Sequence, residues 1–465
     1  MHSRFWKIAA LSAVVLVAGV ACAPPPTLNE PLVVTTNADT FDGVCDLTDC
    51  SLRDAVAASN ALAPAAGIPN RITVPAGAYT LSPSTPIEIL KPLIITGANA
   101  ELTMLDVTGS TIAAPSGVFD AKVAFVLNGI GVISTDSPAA DVLVTCEGHE
   151  PRPVSLFNVS TTGLLATSAS CNATLVSTAV SGPATVLTPF AFSASSSTLP
   201  FPSTTITPVR FSLVSSTITG PSATDGSTQN ATIDIQAPDG AVNIPVDIAG
   251  SRLVGVGLQL GGTNPGKVTT NALSSSFGMT GPDGPLSFTV GTGSIAKLVN
   301  STVYAGGPAG ALRIDGSLIA ESLTATTSGP AIATSAGGTT TVRRSVLSSA
   351  SGATCTAPIT SLGYNIVVGS SCGTAAATDV PVANEAALAL GTLDRWGNPA
   401  PSLHRLPLVG SPLLDVIPPG LSTDPDCPTD ASGGRSIDAR GILRPQGTGC
   451  DIGALEVEVA PPPAG

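Results

Sequence analysis

Few residues of this chain combine the types and the spacing that catalysis requires. Between Pro151 and Ala350 there is no histidine, and the acidic side chains are scattered singly along the sequence. A glycoside hydrolase needs two carboxylates held close together across the scissile bond. The sequence therefore predicts no catalytic residue here, although coils stacked in space could still bring distant acids together. The isolated acids are Asp225, Asp234, Asp239, Asp247, Asp283, Asp315 and Glu321.

The best candidate for a functional pair is Arg313 with Asp315. Residues two positions apart in a strand lie on the same face, so these two side chains can meet. Exposed ion pairs of this kind contribute at most about 1 kcal/mol to stability. We interpret Arg313 and Asp315 as such a solvent-exposed pair.

Candidate metal ligands are also sparse. The three histidines are far apart, and no two cysteines have the spacing of a zinc site. Asp42, Asp46 and Asp49 could supply carboxylate oxygens to a calcium ion. Acidic surface loops usually hold only water, so the sequence predicts no cofactor, with calcium in this loop as the alternative.

A second group of charged residues lies among glycines and prolines near the C-terminus. Arginine and carboxylate side chains can form bidentate hydrogen bonds that fix an irregular segment. His404 has no nucleophile or metal ligand at a recognisable spacing, so we interpret it as a hydrogen-bonded residue of the same segment. We interpret the whole group as structural. Its charged members are Asp415, Asp438, Arg440, Arg444 and Asp451.

The cysteines indicate an oxidising compartment. The chain has nine, and setting Cys22 aside leaves eight in four sequence-local pairs. An even set in an exported chain is typical of a disulfide framework, although eight cysteines allow many other pairings. The local pairs are Cys45/Cys50, Cys146/Cys171, Cys355/Cys372 and Cys427/Cys450.

The composition favours stacked β-structure. Of the 465 residues, 48 are glycine and 41 are proline, while charged residues make up 11% and aromatics 3%. A hydrophobic content of 43% argues against disorder, because such a chain can bury enough apolar surface to offset the entropy of ordering. The net charge of −13 and the scattered Lys and Arg residues argue against a nucleic-acid partner.

A repeated six-residue sequence motif indicates the architecture. The segments 175–180, 213–218 and 298–303 read LVSTAV, LVSSTI and LVNSTV, and weaker copies end at Leu253, Phe277, Leu323 and Val346. Most steps between these anchors are 20 to 26 residues, and the two longer steps hold either an unmarked coil or a loop insertion. A repeat of this length is typical of a solenoid. The sequence predicts an all-β fold, a right-handed parallel β-helix of roughly 13 coils and about 60 Å length.

The N-terminus predicts export. Residues 1–21 have a basic start and an apolar run, which is the pattern of a signal peptide. Cys22 follows directly and resembles the lipidated cysteine of a bacterial lipoprotein, whereas the alternative is ordinary cleavage near Ala21 or Ala23. Residues 22–30 would then form a proline-rich spacer.

The segment 31–64 contains Cys50, Ser51, Leu52, Arg53 and Asp54. It resembles the CSLREA module that opens secreted bacterial β-helix proteins, with Asp54 where the family usually has Glu. Ser51 with Asp54 is a plausible helix N-cap, and apolar residues follow at helical spacing. We expect a short helix that covers the first coil of the solenoid.

The period ends before residue 376, and residues 376–456 resemble the choice-of-anchor Q module that closes such proteins. The resemblance implies an irregular, disulfide-bonded C-terminal cap after a β-helix at 65–375, and residues 457–465 are a proline-rich tail. The matching residues include Asp438, Arg440, Gly441, Arg444, Pro445, Cys450, Asp451, Gly453 and Glu456.

These observations predict an exported cell-surface or secreted β-helix protein without enzymatic activity. It would bind glycans or other surface components, or serve a structural or adhesive role. We expect contact with a membrane only through a lipid on Cys22, and the sequence leaves the oligomeric state open. The alternative is a polysaccharide lyase or glycoside hydrolase built on the same fold.

Overall fold

A computed structural model describes most of the chain after residue 30. No helix within this part of the chain is both long and apolar enough to cross a membrane. The residues described are 31–62, 68–81, 85–107, 117–134, 142–146, 152–162, 165–167, 171–181, 191–200, 204–206, 208, 210–219, 231–237, 243–261, 267–279, 286–373, 376–420, 427 and 436–458.

The predicted right-handed parallel β-helix is confirmed, and two long parallel sheets form most of it. The first, sheet A, has fourteen strands: Leu32–Val33, Asn70–Val74, Leu93–Gly97, Phe125–Asn128, Arg152–Phe157, Cys171–Val176, Ala191–Ser195, Arg210–Val214, Ile244–Ala249, Val268–Leu273, Ile295–Val299, Ser317–Glu321, Thr339–Arg343 and Thr360–Ser361. The second, sheet B, also has fourteen: Gly77–Thr80, Thr103–Asp106, Gly131–Ile133, Ser160–Thr162, Ala179–Ser181, Thr198–Pro200, Thr217–Thr219, Arg252–Val254, Ser276–Met279, Thr302–Ala305, Thr324–Thr327, Val346–Ser349, Ile366–Val368 and Val380–Val382. Fourteen strands at a spacing of about 4.8 Å give a rod about 60 Å long.

Two shorter parallel sheets supply the third side of the coils. Sheet C contains Ile87–Ile89, Gly117–Ala121, Val142–Thr145 and Leu165–Thr167. Sheet D contains Thr204–Ile206, Ala231–Ile235, Val256–Leu260, Phe288–Val290, Leu312–Ile314 and Ile332–Thr334. Inward side chains of all sheets form one core along the axis, as at Leu213, Ile248 and Leu298, which are at most 1% exposed.

The repeated six-residue motif forms the corner between sheets A and B. In each copy a residue with left-handed backbone ends the strand of sheet A, with φ from 47° at Ser215 to 56° at Gly250. Serine and asparagine tolerate this conformation better than bulky residues do. The same corner recurs at Asn158, Ser177, Ser196, Ser274, Asn300, Ser322 and Arg344.

The residue after each corner adds a buried ladder of hydroxyl groups. The Oγ of Ser251 accepts a hydrogen bond from the backbone N–H of Ser216 in the preceding coil (3.1 Å) and donates to the carbonyl of Ala249 (2.9 Å). The ladder satisfies backbone groups that would otherwise be unpaired inside the corner. Its other members are Thr178, Ser197, Ser216, Ser275, Ser301 and Ser345.

The two long steps of the repeat have different origins. Between Val180 and Ile218 lies a complete extra coil, with the strands Ala191–Ser195 and Thr198–Pro200. Between Ile218 and Leu253, by contrast, Arg210–Val214 pairs directly with Ile244–Ala249. The first step is therefore a doubled coil, and the second carries an insertion.

The N-terminal end is covered by helix α1, Leu52–Ala61, which packs against the first strands of the rod. Ser51 is its N-cap and accepts a hydrogen bond from the backbone N–H of Asp54 (3.1 Å). Leu52, Ala55 and Val56 are buried on one face of the helix. This face shields the apolar core at the open first coil.

At the C-terminal end, parallel strands continue to Val380–Val382, beyond the interval 65–375 that the sequence period marks. A 3₁₀-helix, Glu385–Leu388, and an antiparallel pair, Leu390–Asp394 with His404–Pro407, follow. The eight paired cysteines form the disulfides Cys45–Cys50, Cys146–Cys171, Cys355–Cys372 and Cys427–Cys450. Such bonds are typical of proteins that fold outside the cytosol.

Candidate functional site

The N-terminal motif residues are engaged in internal contacts. The carboxylate of Asp54 accepts hydrogen bonds from the backbone N–H groups of Asp42 (3.1 Å) and Gly43 (2.9 Å) and from the hydroxyl of Ser51 (2.8 Å). Arg53 forms an ion pair with Asp39 (Nε to Oδ1, 3.1 Å). These bonds tie the loop before α1 to the helix, so the motif fixes the cap.

The aspartates of the candidate calcium loop also bond locally. Asp42 accepts from the N–H of Val44 (2.8 Å), and Asp46 accepts from the N–H groups of Thr48 (2.7 Å) and Asp49 (2.8 Å). These bonds hold the pKa of Asp46 below its usual value, with the Asp49 N–H as the largest cause. In the described part of the chain, no three His, Cys, Asp or Glu side chains form a group that could hold a metal ion.

The C-terminal motif residues form a buried network. Arg444 donates to the carbonyls of Asp451 and Gly453 (both 2.7 Å) and pairs with Glu456 (3.2 Å). Arg440 pairs with Asp438 (2.8 Å), a carboxylate that is fully buried. Burial raises the pKa of Glu456 to about 7, while the Arg444 guanidinium opposes that shift. The network ties together the last residues that the structure describes, and the N–H of Gly441 donates to the carbonyl of Asp438 within it. Pro445 directly follows Arg444.

His404 lies in the same module, and its buried side chain contacts two hydroxyl groups. Its Nδ1 lies 2.9 Å from the hydroxyl of Thr302, and its Nε2 lies 3.1 Å from that of Ser402. Burial lowers the pKa of His404 to about 4, although the Asp438 carboxylate partly counteracts this. The imidazole is therefore neutral at physiological pH.

Hydrogen bonds to sheet B place the C-terminal module along the side of the rod. The backbone N–H of Leu403 donates to Ser276 (2.9 Å), and that of Ala454 donates to Thr324 (3.1 Å). Together with Thr302, these two hydroxyl residues occupy equivalent outward positions in successive strands of sheet B. The module thus bridges several coils, a contact that the sequence did not reveal because outward Ser and Thr usually face solvent.

The catalytic candidates remain separated where they are described. Arg313 and Asp315 form an ion pair (3.0 Å) in which the arginine side chain is 56% exposed, as expected for a surface pair. Asp234 is half-buried, with a pKa raised by burial, and Gln236 donates to it (2.6 Å). Its register partners in sheet D are Thr205 and Gln259, so neither neighbouring strand places a carboxylate beside it.

Several predicted positions lie outside the described residues. They are Cys22, the two histidines His2 and His149, and the acids Asp225, Asp239 and Asp283.

The outer face of sheet A carries two parallel rows of side chains that cross seven coils. The polar row runs through Ser155, Thr174, Ser212, Asp247, Asn271 and Lys297. The apolar row, two residues further along each strand, runs through Phe157, Val176, Val214, Ala249, Leu273 and Val299. One further coil lies between the second and third residues of each row. It contributes Ser193 to the polar row and Ser195 to the apolar row.

This double row is accessible and electrically balanced. Val214 is 42% and Leu273 44% exposed, which is high for aliphatic residues in a regular sheet. Asp247 pairs with Arg210 (3.3 Å), and Lys297 pairs with Glu321 (3.2 Å). The double row can therefore offer hydrogen bonds and apolar contact to a long ligand without presenting a large net charge.

No protein-family model matches the chain, and no curated protein matches it. Among solved structures, it is similar to the A-modules of two mannuronan C-5 epimerases from Azotobacter vinelandii, AlgE6 and AlgE4, each with 14% identity and a TM-score of 0.25. The AlgE6 match covers 72% of this chain and 91% of that module, and the AlgE4 match covers 68% and 89%. Similarity at this level does not transfer an activity.

Proposed function

We propose that this is an exported cell-surface protein whose β-helix binds linear, uncharged glycans along the double row of sheet A without cleaving them. A lipid on Cys22 would hold it at the membrane. The observation that carries the proposal is the polar row of sheet A running beside an apolar row in which Val214 and Leu273 are exposed.

The chemistry of the two rows suits a sugar polymer. Ser, Thr and Asn side chains can both donate and accept hydrogen bonds, which matches the hydroxyl groups around a sugar ring. The apolar row can cover the C–H faces of the same rings, and the burial of these faces is favourable. The polar row continues through every one of these coils and the apolar row through all but the coil of Ser195, so the contact can extend along a chain of sugars.

The ion pairs on this face favour an uncharged ligand. Lys297 is matched by Glu321, and Asp247 by Arg210, so neither sign of charge dominates. A charged polysaccharide of either sign would meet like charges on its path, either the carboxylates Asp247 and Glu321 or the cations Arg210 and Lys297, and like charges in contact oppose binding.

Export and surface location are supported by three features. The signal pattern of residues 1–21, the lipoprotein-like Cys22 and the four disulfides all fit a compartment outside the cytosol. The resemblances of the two ends to CSLREA and choice-of-anchor Q modules fit the same proposal.

A screen of the mature chain against a glycan array, combined with a polysaccharide-degradation assay, tests this function. We expect binding to one or more uncharged polysaccharides and no release of products, with or without calcium. Shortened or unsaturated products would instead establish the lyase or hydrolase alternative. Binding confined to acidic polysaccharides would contradict the choice of ligand.

A further inference from the structure

Three large apolar side chains project into solvent from the loop at residues 41–47. Phe41 is 67%, Val44 55% and Leu47 93% exposed. Single exposed apolar residues are common, but a group of them on one short loop usually marks an interaction site. The glycan-binding proposal does not account for this loop.

The loop is rigid enough to hold these side chains outward. The Cys45–Cys50 disulfide closes it, and Asp42 and Asp46 each accept backbone hydrogen bonds within it. The N–H of Gly43 donates to Asp54 at the start of α1 (2.9 Å). Because the backbone is already ordered, insertion into a partner costs little further conformational entropy.

The loop lies at the end of the rod from which the N-terminal segment departs. Sheet A begins at Leu32, and α1, to which the loop is bonded, covers that end. Leu32 lies ten positions after Cys22 in the sequence. Even fully extended, these ten steps span at most about 36 Å. A lipid on Cys22 would therefore keep this loop close to the bilayer.

The charge of the segment indicates which kind of bilayer fits. Residues 31–50 contain four aspartates and no Lys or Arg. Anionic lipids attract basic segments and repel acidic ones. The apolar side chains can thus enter the interface of an uncharged bilayer, with the aspartates remaining at the level of the head groups.

We propose that Phe41, Val44 and Leu47 insert into the interface of a zwitterionic bilayer and seat the N-terminal end of the rod on the membrane. This inference rests on the lipid anchor of the proposed function and does not depend on glycan binding. It makes the loop a second, reversible membrane contact beside the covalent lipid.

Co-sedimentation of the mature Cys22→Ala chain with vesicles tests the loop separately from the lipid. We expect measurable binding to phosphatidylcholine vesicles, weaker binding when phosphatidylglycerol is added, and a loss of about tenfold or more in the double variant Phe41→Ser/Leu47→Ser. Val409→Ser is the matched control, because Val409 is 101% exposed on the C-terminal module and should not affect binding. Circular dichroism should show the same fold for all variants.

Three results with vesicles would overturn the proposal. They are the absence of binding to phosphatidylcholine vesicles, equal binding by the double variant, and preference for anionic vesicles. Self-association without vesicles that Leu47→Ser abolishes would also overturn it, by showing that a second copy covers the loop. Membrane partitioning of the wild-type chain and of Cys22→Ala tests the anchor itself. Cys22→Ala should bind membranes more weakly than the wild type, and equal partitioning would remove the lipid anchor.

Discussion

Acidification should weaken the C-terminal module through His404. The unfolded chain takes up a proton near pH 6.5, whereas the folded module resists protonation until about pH 4. The unfolded state therefore binds more protons in this window, and stability falls as the pH falls. The difference between pH 6.5 and pH 4, at about 1.4 kcal/mol per pH unit, amounts to about 3 kcal/mol lost by pH 4 and about 3.5 kcal/mol well below it.

Urea unfolding followed by tryptophan fluorescence can measure this effect. The chain has two tryptophans, and Trp6 lies in the predicted signal peptide. Trp396 is therefore the reporter in the mature chain, and its indole N–H donates to the carbonyl of His404 (3.2 Å). Glu456, whose pKa is raised to about 7, acts in the opposite direction. Between pH 4.5 and 7 the unfolded chain has lost this proton while the folded chain still holds it, so stability falls as the pH rises.

The comparison with His404→Asn isolates the histidine from these other groups. The variant cannot titrate at this position, so its free energy of unfolding should lack the acid-dependent loss. The difference between the wild type and the variant should shrink by about 3 kcal/mol from pH 8 to pH 4. A difference that stays constant with pH would refute the reasoning.

Three further perturbations test other parts of the structure. Ser251→Ala should cost about 1–3 kcal/mol in urea unfolding, because it leaves a buried N–H of the preceding coil unpaired. The control is Ser195→Ala, at an outward position of sheet A between Val176 and Val214, and an equally small loss in both variants would contradict the ladder. Glu456→Ala should lower stability by about 3 kcal/mol or more, because it removes the oxygens that accept hydrogen bonds from Arg444 and from the N–H groups of Gln446 and Asp451, and an unchanged melting temperature would exclude that role. Arg313→Ala should change stability by less than about 1 kcal/mol, and a larger loss would show that its pair with Asp315 is more than a surface contact.

The sequence predicted the coils well because each one repeats the same local requirements. Inward aliphatic residues such as Leu213 and Leu298 recur at the coil length, and the following Ser or Asn tolerates the left-handed corner. Step lengths alone could not separate the extra coil before Ile218 from the insertion after it. That distinction depends on which strands pair, and pairing is a property of the folded state.

The position of the C-terminal module could not be predicted from the sequence. Ser276 and Thr324 have the polarity of solvent-facing strand residues, yet backbone N–H groups from more than 100 residues away cover them. The network of Arg440 and Arg444 was correctly interpreted as a set of charge pairs. Its partners across the rod were unpredictable, because contacts of such long separation leave no periodic signal.

The most direct test of the central claim is a calorimetric titration with an uncharged polysaccharide selected on the array. The double variant Val214→Asp/Leu273→Asp places two charges in the exposed apolar row, whereas Leu102→Asp changes a leucine that is 56% exposed away from sheet A. We predict that the double variant keeps its fold and loses binding by about tenfold or more, while Leu102→Asp binds like the wild type. Equal affinity in all three proteins would contradict glycan binding on this face.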